Sequence, residues 1–374
     1  MAASAVVGAA AGGSASTAPA AASMNPFWAA TNWYFESNNQ EISNGSYQLT
    51  TSPKPFSINL NTNGFLKDYR CVVRSTGAVG GTPTADGPWN LFQQTTFQTP
   101  NSAQFFKTHS GYEYLLYQAY GRPWEGDPTK WYDYAQSINP SFTFKLAPEI
   151  RYTAGSLPNM DSRRPYQVQG NIGAISSVIS GAVTTAPTMT FASGIDTLAQ
   201  PDGMDLMKRP NQQSPGGVAL QVQRQLSSLT LNGAGSTNTF DARAITGNLM
   251  RLMILEVRDN LGARQDYLTD PITWTIDNRT LANYTQADLF GQMNDFYAGS
   301  GSGYMARPTG VYVFPRFFNP GTLQGQGWLQ TSGATKLQWQ STTAAGATNV
   351  PGTVNILSEQ VVPLPGLDYE YTNL

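Results

Sequence analysis

The stretches NGFLKDYRCVVRSTG (residues 63–77) and TGNLMRLMILEVRDNLG (residues 246–262) carry the clearest sign of how this chain is organised. Each has a glycine near its start, a long run rich in apolar residues, and a Val-Arg pair followed closely by another glycine. Gly64 and Gly247 lie 183 residues apart, and Pro88 and Pro271 keep the same separation. These repeated landmarks predict that the chain contains two copies of one domain.

The first stretch has the period-two alternation of a β-strand, which places Phe65, Tyr69, Cys71 and Val73 on one face. Many short strands separated by turn signals indicate sandwiches or barrels rather than βαβ units. Further strand patterns occur at residues 56–60, 89–99, 141–147 and 188–193 of the first half, and at residues 225–231, 247–258, 272–278, 310–318, 336–341 and 353–364 of the second half.

Each half also contains one predicted short helix after its early strands, at residues 111–121 and at residues 286–299. The faces expected to pack are Tyr114, Leu115 and Gln118 in the first helix and Leu289, Met293 and Phe296 in the second. Each half has room for about eight strands, which is the number in a jelly roll. We therefore predict an all-β fold of two tandem eight-stranded jelly rolls with long loops, over residues 51–208 and 209–374.

Composition and charge exclude some classes of function. The 374 residues exceed the length at which a single hydrophobic core stops growing. Charged residues make up only 12% of the chain, so we expect much of the surface to contact other protein. The net charge is −2 and there is no cluster of Lys and Arg, so the chain has no means of neutralising phosphates. We predict no direct binding to nucleic acid.

Residues that could carry chemistry are sparse. Cys71 and His109 are the single cysteine and the single histidine, too few for a zinc site without carboxylates. The chain contains no Gly-Lys dipeptide, which rules out a P-loop. Two carboxylate pairs carry no sign of lying across a cleft, as glycoside hydrolysis requires: Glu36 with Glu41 and Asp266 with Asp270. We predict that the protein is not an enzyme and has no catalytic, cofactor-binding or metal-binding residues.

Residues 1–50 are predicted to form an arm. The first 23 residues are mainly Ala, Gly and Ser without a basic region, which indicates a flexible segment rather than a signal peptide. Residues 25–36 follow as a short helix whose aromatic stripe includes Phe27, Trp28 and Phe35. This helix either docks on a neighbouring subunit or a membrane surface, or folds back on its own domain. No stretch is long and apolar enough for a transmembrane helix.

Several stretches share their pattern and their order with one protein family. They are GFLKDYRCVV, ADGPWNLFQQTTFQ and HSGYEYLLYQAYG in the first half, and TGVYVFPRFFN, KLQWQS and TVNILSEQVVPL in the second. In these stretches the chain resembles the double jelly-roll major capsid proteins of tailless, membrane-containing bacteriophages, most closely the tectivirus-like group. The likeness extends from about residue 56 to the C-terminus and includes no diagnostic motif.

The resemblance implies a major capsid protein that forms homotrimers, with six jelly rolls making a pseudo-hexagonal capsomer of an icosahedral virion shell. It implies synthesis and assembly in the host cytoplasm, with residues 149–187 as an outer tower of the first domain. The partners implied are neighbouring capsomers, minor capsid, penton or membrane proteins, and an internal membrane reached through Phe27, Trp28 and Phe35. No cofactor is implied.

A second hypothesis is a viral spike or lectin-like β-sandwich module that binds surface carbohydrate. The aromatic residues in RPWEGDPTKWYDYAQ are of the kind that such a site uses, namely Trp124, Trp131, Tyr132 and Tyr134. The alternative is that these side chains pack a long loop or a subunit contact.

Overall fold

The computed structural model describes residues 37–99, 103–122, 137–150, 154–160, 162–163, 165–198, 220–241, 248–298, 307–317, 327–331, 333–334 and 336–363. These residues form mainly antiparallel sheets with a few short helices. Across these ranges, no helix is both long enough and apolar enough to cross a membrane. The helix predicted at residues 25–36 lies outside the described residues, as does the segment before it.

The first domain has eight main strands among the described residues. They are β1 (Ser37–Gln48), β2 (Lys54–Asn59), β3 (Phe65–Thr76), β5 (Phe92–Gln98), β6 (Gln104–His109), β7 (Ser141–Leu146), β9 (Gln167–Ile172) and β11 (Thr188–Leu198). One sheet has the order β1-β11-β3-β7, and the other has the order β2-β9-β5-β6. A two-residue strand, β8 (Leu157–Pro158), pairs with the start of β3.

The second domain repeats this arrangement. Its main strands are β12 (Leu220–Leu231), β13 (Thr237–Asp241), β14 (Leu249–Arg258), β15 (Leu268–Ile276), β16 (Arg279–Tyr284), β17 (Val311–Pro315), β19 (Leu337–Thr343) and β20 (Gly352–Pro363). The sheets have the orders β12-β20-β14-β17 and β13-β19-β15-β16, and the short β18 (Leu329–Gln330) pairs with β14.

Both domains follow one strand order. Counted along each domain, the first sheet joins its first, eighth, third and sixth main strands, and the second sheet joins its second, seventh, fourth and fifth. This order defines a jelly roll, and the predicted double jelly roll is confirmed. We call the two domains the first and second roll. In each roll the front sheet contains the first and eighth strands, and its outer face points away from that roll's own core.

The rolls are joined through neighbouring strands. β12, the first strand of the second roll, pairs in parallel with β6 of the first roll at Arg224 and Phe106. This pairing makes one continuous sheet from the front sheet of the second roll and the back sheet of the first. Buried apolar residues of both rolls likewise form one connected core.

A β-bulge in β3 changes the facing predicted from alternation. Asp68 pairs with Asp196 and Leu66 with Thr197, so Lys67 is an extra residue on β3. Leu66 therefore joins the core that contains Tyr69, Cys71 and Val73. Phe65 packs instead with Leu198 in a separate small cluster. The prediction that Phe65 shares the face of Tyr69 is wrong because the bulge shifts the alternation by one residue.

β14 has a bulge at the corresponding place. Leu252 pairs with Glu359 and Met250 with Gln360, which leaves Arg251 as the extra residue. The bulged residues Lys67 and Arg251 show that the two strands correspond at a separation of 184 residues, one more than the sequence landmarks indicate. The repeat is thus visible in the sequence. Aligning the two strands at the landmark separation of 183 residues, however, would match each side chain with one on the opposite face.

Both predicted helices are present, each between the fifth and sixth strands of its roll. They are α1 (Gly111–Gly121) and α3 (Gln286–Ala298). A capping box starts α1: Ser110 accepts a hydrogen bond from the Glu113 amide, and the Glu113 carboxylate accepts one from the Ser110 amide. Every residue of α1 is buried, so the single packed face predicted for it is wrong. Leu289 and Met293 of α3 are buried as predicted, together with Tyr297, and Phe296 is half-buried.

The segment predicted as an outer tower, residues 149–187, does not form one loop. It contains β9, which lies between β2 and β5 inside the back sheet. Its last part lies outside the two main sheets, as a one-turn helix α2 (Ile175–Val178) and strand β10 (Ile179–Thr185). β10 forms a two-stranded ribbon with β4 (Val79–Pro83).

Part of the segment predicted as the N-terminal arm, residues 1–50, is a strand of the first roll. Residues 37–48 form β1, which pairs with β11 along its length, so they belong to the first roll. The predicted boundary between residues 208 and 209 lies outside the described residues. Both landmark prolines, Pro88 and Pro271, follow cis peptide bonds.

Candidate functional site at the interface between the two rolls

Helix α1 belongs to the first roll but lies against the front sheet of the second. The Tyr117 hydroxyl is 3.2 Å from the carbonyl oxygen of Gln225 and 3.1 Å from that of Ser358, both in the second roll. The Tyr297 hydroxyl of α3 donates to the carbonyl oxygen of Tyr120 at 3.0 Å. Because both rolls contact α1, it has no solvent-facing side, which explains its complete burial.

A buried carboxylate with three arginines lies at the end of α1. Glu359 of β20 accepts hydrogen bonds from Arg122 at 2.8 Å, from Arg251 at 2.5 Å and from Arg224 at 3.1 Å. All four side chains are at most 1% exposed. Arg122 belongs to the first roll and the other three residues to the second, so the cluster spans the interface. We call these four residues the Glu359 cluster.

Carbonyl oxygens and aromatic rings accommodate the two surplus positive charges. Arg122 and Arg224 both donate to the carbonyl oxygen of Ala147, at 2.8 and 3.2 Å, and Arg251 donates to that of Gly121 at 2.7 Å. The Arg224 guanidinium also lies 4.4 Å from the ring centroid of Phe106, which is within cation–π range. The ends of α1 and β7 are thereby tied to the second roll.

The electrostatics of the cluster favour its charged form. Burial alone would raise the pKa of Glu359, but Arg122, Arg224 and Arg251 outweigh it and lower that pKa to about 2. Burial lowers the pKa of Arg251 to about 10, which still leaves its guanidinium protonated at neutral pH. A buried ion cluster of this kind fixes the positions of its members, because separating them would leave unpaired charges in a low dielectric.

A second polar contact joins the rolls near β14. Asp86, in the loop before β5, accepts hydrogen bonds from Arg258 at 2.6 Å and from Arg264 at 2.7 Å. The ring of Tyr112 in α1 lies under Arg264, 4.7 Å from its guanidinium carbon. Arg258 also pairs with Glu256 on the same strand. This contact fixes the rolls at a second place.

Glu113 is a buried acid between these two contacts. Burial and the neighbouring Glu256 raise the pKa of Glu113 to about 8, against the opposing effects of the Ser110 hydrogen bonds and Arg258. The Asn355 side-chain amide donates to Glu256 at 3.1 Å and lies 3.4 Å from Glu113. The interface therefore contains a carboxyl group that is largely protonated at neutral pH.

Cys71 and His109, which the sequence analysis considered for chemistry, are both buried within the first roll. Cys71 is buried in the core, where burial raises the pKa of its thiol to about 12. His109 is buried beside Tyr117 and Lys107, and burial lowers its pKa to about 4, so it is neutral at pH 7. Over the described part of the chain, His, Cys, Asp and Glu nowhere gather in the threes or more that could hold a metal ion.

Nothing in the described residues arranges Asp266 with Asp270, or Glu36 with Glu41, as a catalytic pair. Asp266 forms an ion pair with Arg307 at 2.9 Å, and Asp270 accepts a hydrogen bond from the Gln286 amide at the start of α3. Glu36 lies outside the described residues, and only the backbone of Glu41, in β1, is described. The aromatic residues weighed for carbohydrate binding, Trp124, Trp131, Tyr132 and Tyr134, lie outside the described residues. Phe27, Trp28 and Phe35 also lie outside them.

Sequence reasoning missed the Glu359 cluster entirely. Its members come from the end of α1, from β12, from β14 and from β20, separated by up to 237 residues. The one available signal was a charged residue within otherwise apolar strands, as at Arg251 in LMRLMILEV and Glu359 in NILSEQVV. A charge at such a position requires a buried partner or an exposed face, and alternation alone does not distinguish them.

The fold has close counterparts among solved structures. The STIV MCP covers 88% of this chain and 97% of its own length at 14% identity, with a TM-score of 0.60. The match to the major capsid protein P2 from bacteriophage PM2 covers 88% of this chain and 99% of that protein at 9% identity, with a TM-score of 0.55. The match to the Faustovirus major capsid protein covers 88% of this chain and 90% of that protein at 11% identity, with a TM-score of 0.53. No protein-family model matches the chain, and no curated protein matches it.

These similarities extend over nearly the whole of each compared chain. At such low identities they concern the fold: the chain has the double jelly-roll fold of viral major capsid proteins.

Proposed function

We propose that the protein is a major capsid protein that self-associates into trimeric, pseudo-hexagonal capsomers of an icosahedral virion shell. The observation that carries the proposal is the Glu359 cluster together with the Asp86 contact, which join two jelly rolls into one unit. A rigid unit of two similar rolls is what a tile requires, because three such units supply six similar wedges. The fold shared with viral major capsid proteins supports the same conclusion.

The composition supports a protein whose surface is covered by other protein. Charged residues account for 12% of the chain, about half the usual share. Permanent interfaces bury large, relatively apolar areas, so a sparsely charged surface favours them. The partners proposed are further copies of the chain, neighbouring capsomers and minor capsid or penton proteins of the same shell.

The contact with an internal membrane is part of the proposal and rests on the sequence alone. Phe27, Trp28 and Phe35 precede β1 in the sequence, and a helix over residues 25–36 would present them as an aromatic stripe of the kind that inserts into a membrane interface. The proposed site of action is the virion shell, after synthesis and assembly in the host cytoplasm.

The test is the native mass of the purified chain, measured by light scattering behind size-exclusion chromatography. A trimer has three times the 40.4 kDa of one chain, about 121 kDa. A trimer that persists on dilution supports the capsomer, and electron microscopy of concentrated trimers should then show closed shells or sheets. A monomer at all concentrations contradicts the proposal, and a glycan array would then test the carbohydrate-binding hypothesis.

A further inference from the structure

The front sheets of the two rolls differ in how their outer faces are covered. In β14 the residues from Met250 to Val257 are all buried, because the second roll's core covers one face and α1 with its neighbours covers the other. In β3, the corresponding strand, burial alternates, and Arg74 on the outer face is exposed. On β11, Thr190 and Ala192 are exposed on the same face. Among the described residues, the first roll therefore has a partly exposed face where the second roll has an internal interface.

The edges of the sheets are uncovered in the same way. Within the chain, β6 of the first roll pairs with β12 of the second. The counterpart of β6 is β16, and the counterpart of β12 is β1. Among the described strands, β16 and β1 are each the last strand of their sheets. A second copy placed with its β1 beside β16 would repeat the contact that already exists within the chain.

The acid at the centre of the internal interface also has a counterpart. Glu359 lies just before the bulge between β20 and β14, opposite Leu252. Asp196 lies just before the bulge between β11 and β3, opposite Asp68. The two acids thus hold equivalent positions on the outer faces of their front sheets.

Asp196 does not have the arginines that surround Glu359. It is half-buried, and no hydrogen bond or ion pair is formed by its side chain among the described residues. Asp68, beside it, pairs with Lys145 at 3.2 Å. Burial and the neighbouring Asp68 raise the pKa of Asp196, and Arg70, Lys67 and Lys145 offset this only in part. Asp196 is therefore a carboxylate whose charge would be stabilised by a further cation.

A cation without an acceptor lies at the matching place on the second roll. By strand register Pro315 corresponds to Ala147, whose carbonyl oxygen binds the Glu359 cluster, and Arg316 follows it. Nε and Nη2 of Arg316 are buried and have no hydrogen-bond partner among the described residues. Its guanidinium lies 4.3 Å from the Trp274 ring centroid. Arg316 lines a cleft of about 210 Å³ between α3 and β17, with Met293 and Phe317 among its walls.

The corresponding cleft in the first roll is closed. At the positions of α1 that correspond to Gln292 and Phe296, the Tyr117 hydroxyl contacts the carbonyl oxygens of Gln225 and Ser358, and a Cβ on Gly121 would lie 3.1 Å from the Leu252 side chain. The first roll has its partner, the second roll of the same chain, already docked. The open cleft of the second roll is where a docked partner is missing.

We propose that the outer face of the first roll, centred on Asp196, docks against the α3–β17 cleft of a second copy, where Asp196 pairs with Arg316. The occupant is another copy of this chain, joined head to tail. A head-to-tail contact closes into a ring when its rotation permits, and this inference rests on the trimer proposed above. The contact repeats in trans the contact that the two rolls make within the chain.

The test is a set of single substitutions measured by light scattering over a dilution series. Asp196→Asn and Arg316→Gln should each raise the chain concentration at which half of the trimer has dissociated at least about tenfold, since each leaves a charge without its partner. Ala192→Arg adds bulk at a position exposed in the free chain and should prevent the trimer from forming. The matched control is Thr239→Arg on β13, at the far edge of the second roll, which should leave the trimer unchanged.

A readout on the dissociated chain separates docking from folding. Asp196→Asn removes a carboxylate that stands beside Asp68, so the thermal midpoint of the monomer should stay the same or rise while the trimer weakens. If the Asp196→Asn, Arg316→Gln or Ala192→Arg variant forms a trimer as stable to dilution as the wild-type trimer, the inference is overturned and the capsomer proposal stands. A wild-type chain that is monomeric throughout overturns the capsomer instead.

Discussion

Arg122 donates a 2.8 Å hydrogen bond to Glu359 across a sequence separation of 237 residues. The bond links the residue that follows α1 in the first roll to the last strand of the second. Both side chains are almost completely inaccessible to solvent, at 1% and 0% exposure. This buried pair is therefore one of the contacts that fix how the two halves of the chain are placed.

Substituting Glu359 by Gln should destabilise the whole protein. The three arginines around it would remain buried without their carboxylate, and breaking a buried ion pair from one side costs about 3–5 kcal/mol. The free energy of unfolding, measured by denaturant titration, should fall by about that amount. The matched control is Asp288→Asn on the exposed side of α3, which should change it little. An unchanged midpoint for Glu359→Gln would show that the cluster contributes no net stability.

Leu255 tests the register of β14. It is 1% exposed and faces the core of the second roll, opposite Ile356 and Tyr312. Leu255→Asp should abolish soluble expression, because a lone carboxylate there is neither solvated nor paired. Leu261→Asp, in the loop after the same strand, should express normally since Leu261 is 77% exposed. Equal yields of the two variants would contradict the assigned facing.

The positions of many strands along the chain were predictable because they depend on patterns within short segments. The apolar alternation in SFTFKL and the continuous apolar run VYVFP identified β7 and β17 directly. Strands such as β9 (QVQGNI) and β13 (TNTFD) went unidentified, because they are mostly polar. They owe their conformation to hydrogen bonds with neighbouring strands rather than to an apolar pattern.

The sequence did not predict which face of β3 Phe65 lies on, nor the interface between the rolls, because both depend on contacts between distant segments. The bulge at Lys67 reversed the facing of Phe65, and a bulge leaves little local signal in sequence. Helix α1 was located correctly, yet its burial on all sides follows from the second roll, more than a hundred residues later. The partners of Glu359 lie at the end of α1, on β12 and on β14, so a local pattern could indicate a charge such as Arg251 within an apolar strand but not the residue it pairs with.

Removal of residues 1–23 should separate capsomer formation from shell assembly. These residues precede the described strands, and their small side chains offer little surface to bury. The shortened chain should keep the native mass of the full chain in light scattering, while electron microscopy should show fewer closed shells. A shortened chain that is unfolded by circular dichroism would contradict a peripheral role for this segment.

Glu113 should make the protein less stable as the pH rises. Its pKa is about 8 in the folded chain against an ordinary value of 4.5, so between these values the folded state holds a proton that the unfolded state has lost. Stability from this group is complete below about pH 4.5 and declines as the pH rises towards 8. His109 acts in the opposite direction, because its pKa is lowered from 6.5 to about 4, and its contribution is lost on acidification.

The comparison with Glu113→Gln isolates the carboxyl group, because His109 is common to both chains. Relative to the wild type, the Gln variant should gain more than about 1 kcal/mol in the free energy of unfolding between pH 5 and pH 8, since one pKa unit corresponds to about 1.36 kcal/mol. Urea titrations at both pH values measure this difference. Parallel pH profiles for the two chains would mean that Glu113 is ionised in the folded protein, and that Arg258 rather than burial and Glu256 determines its charge.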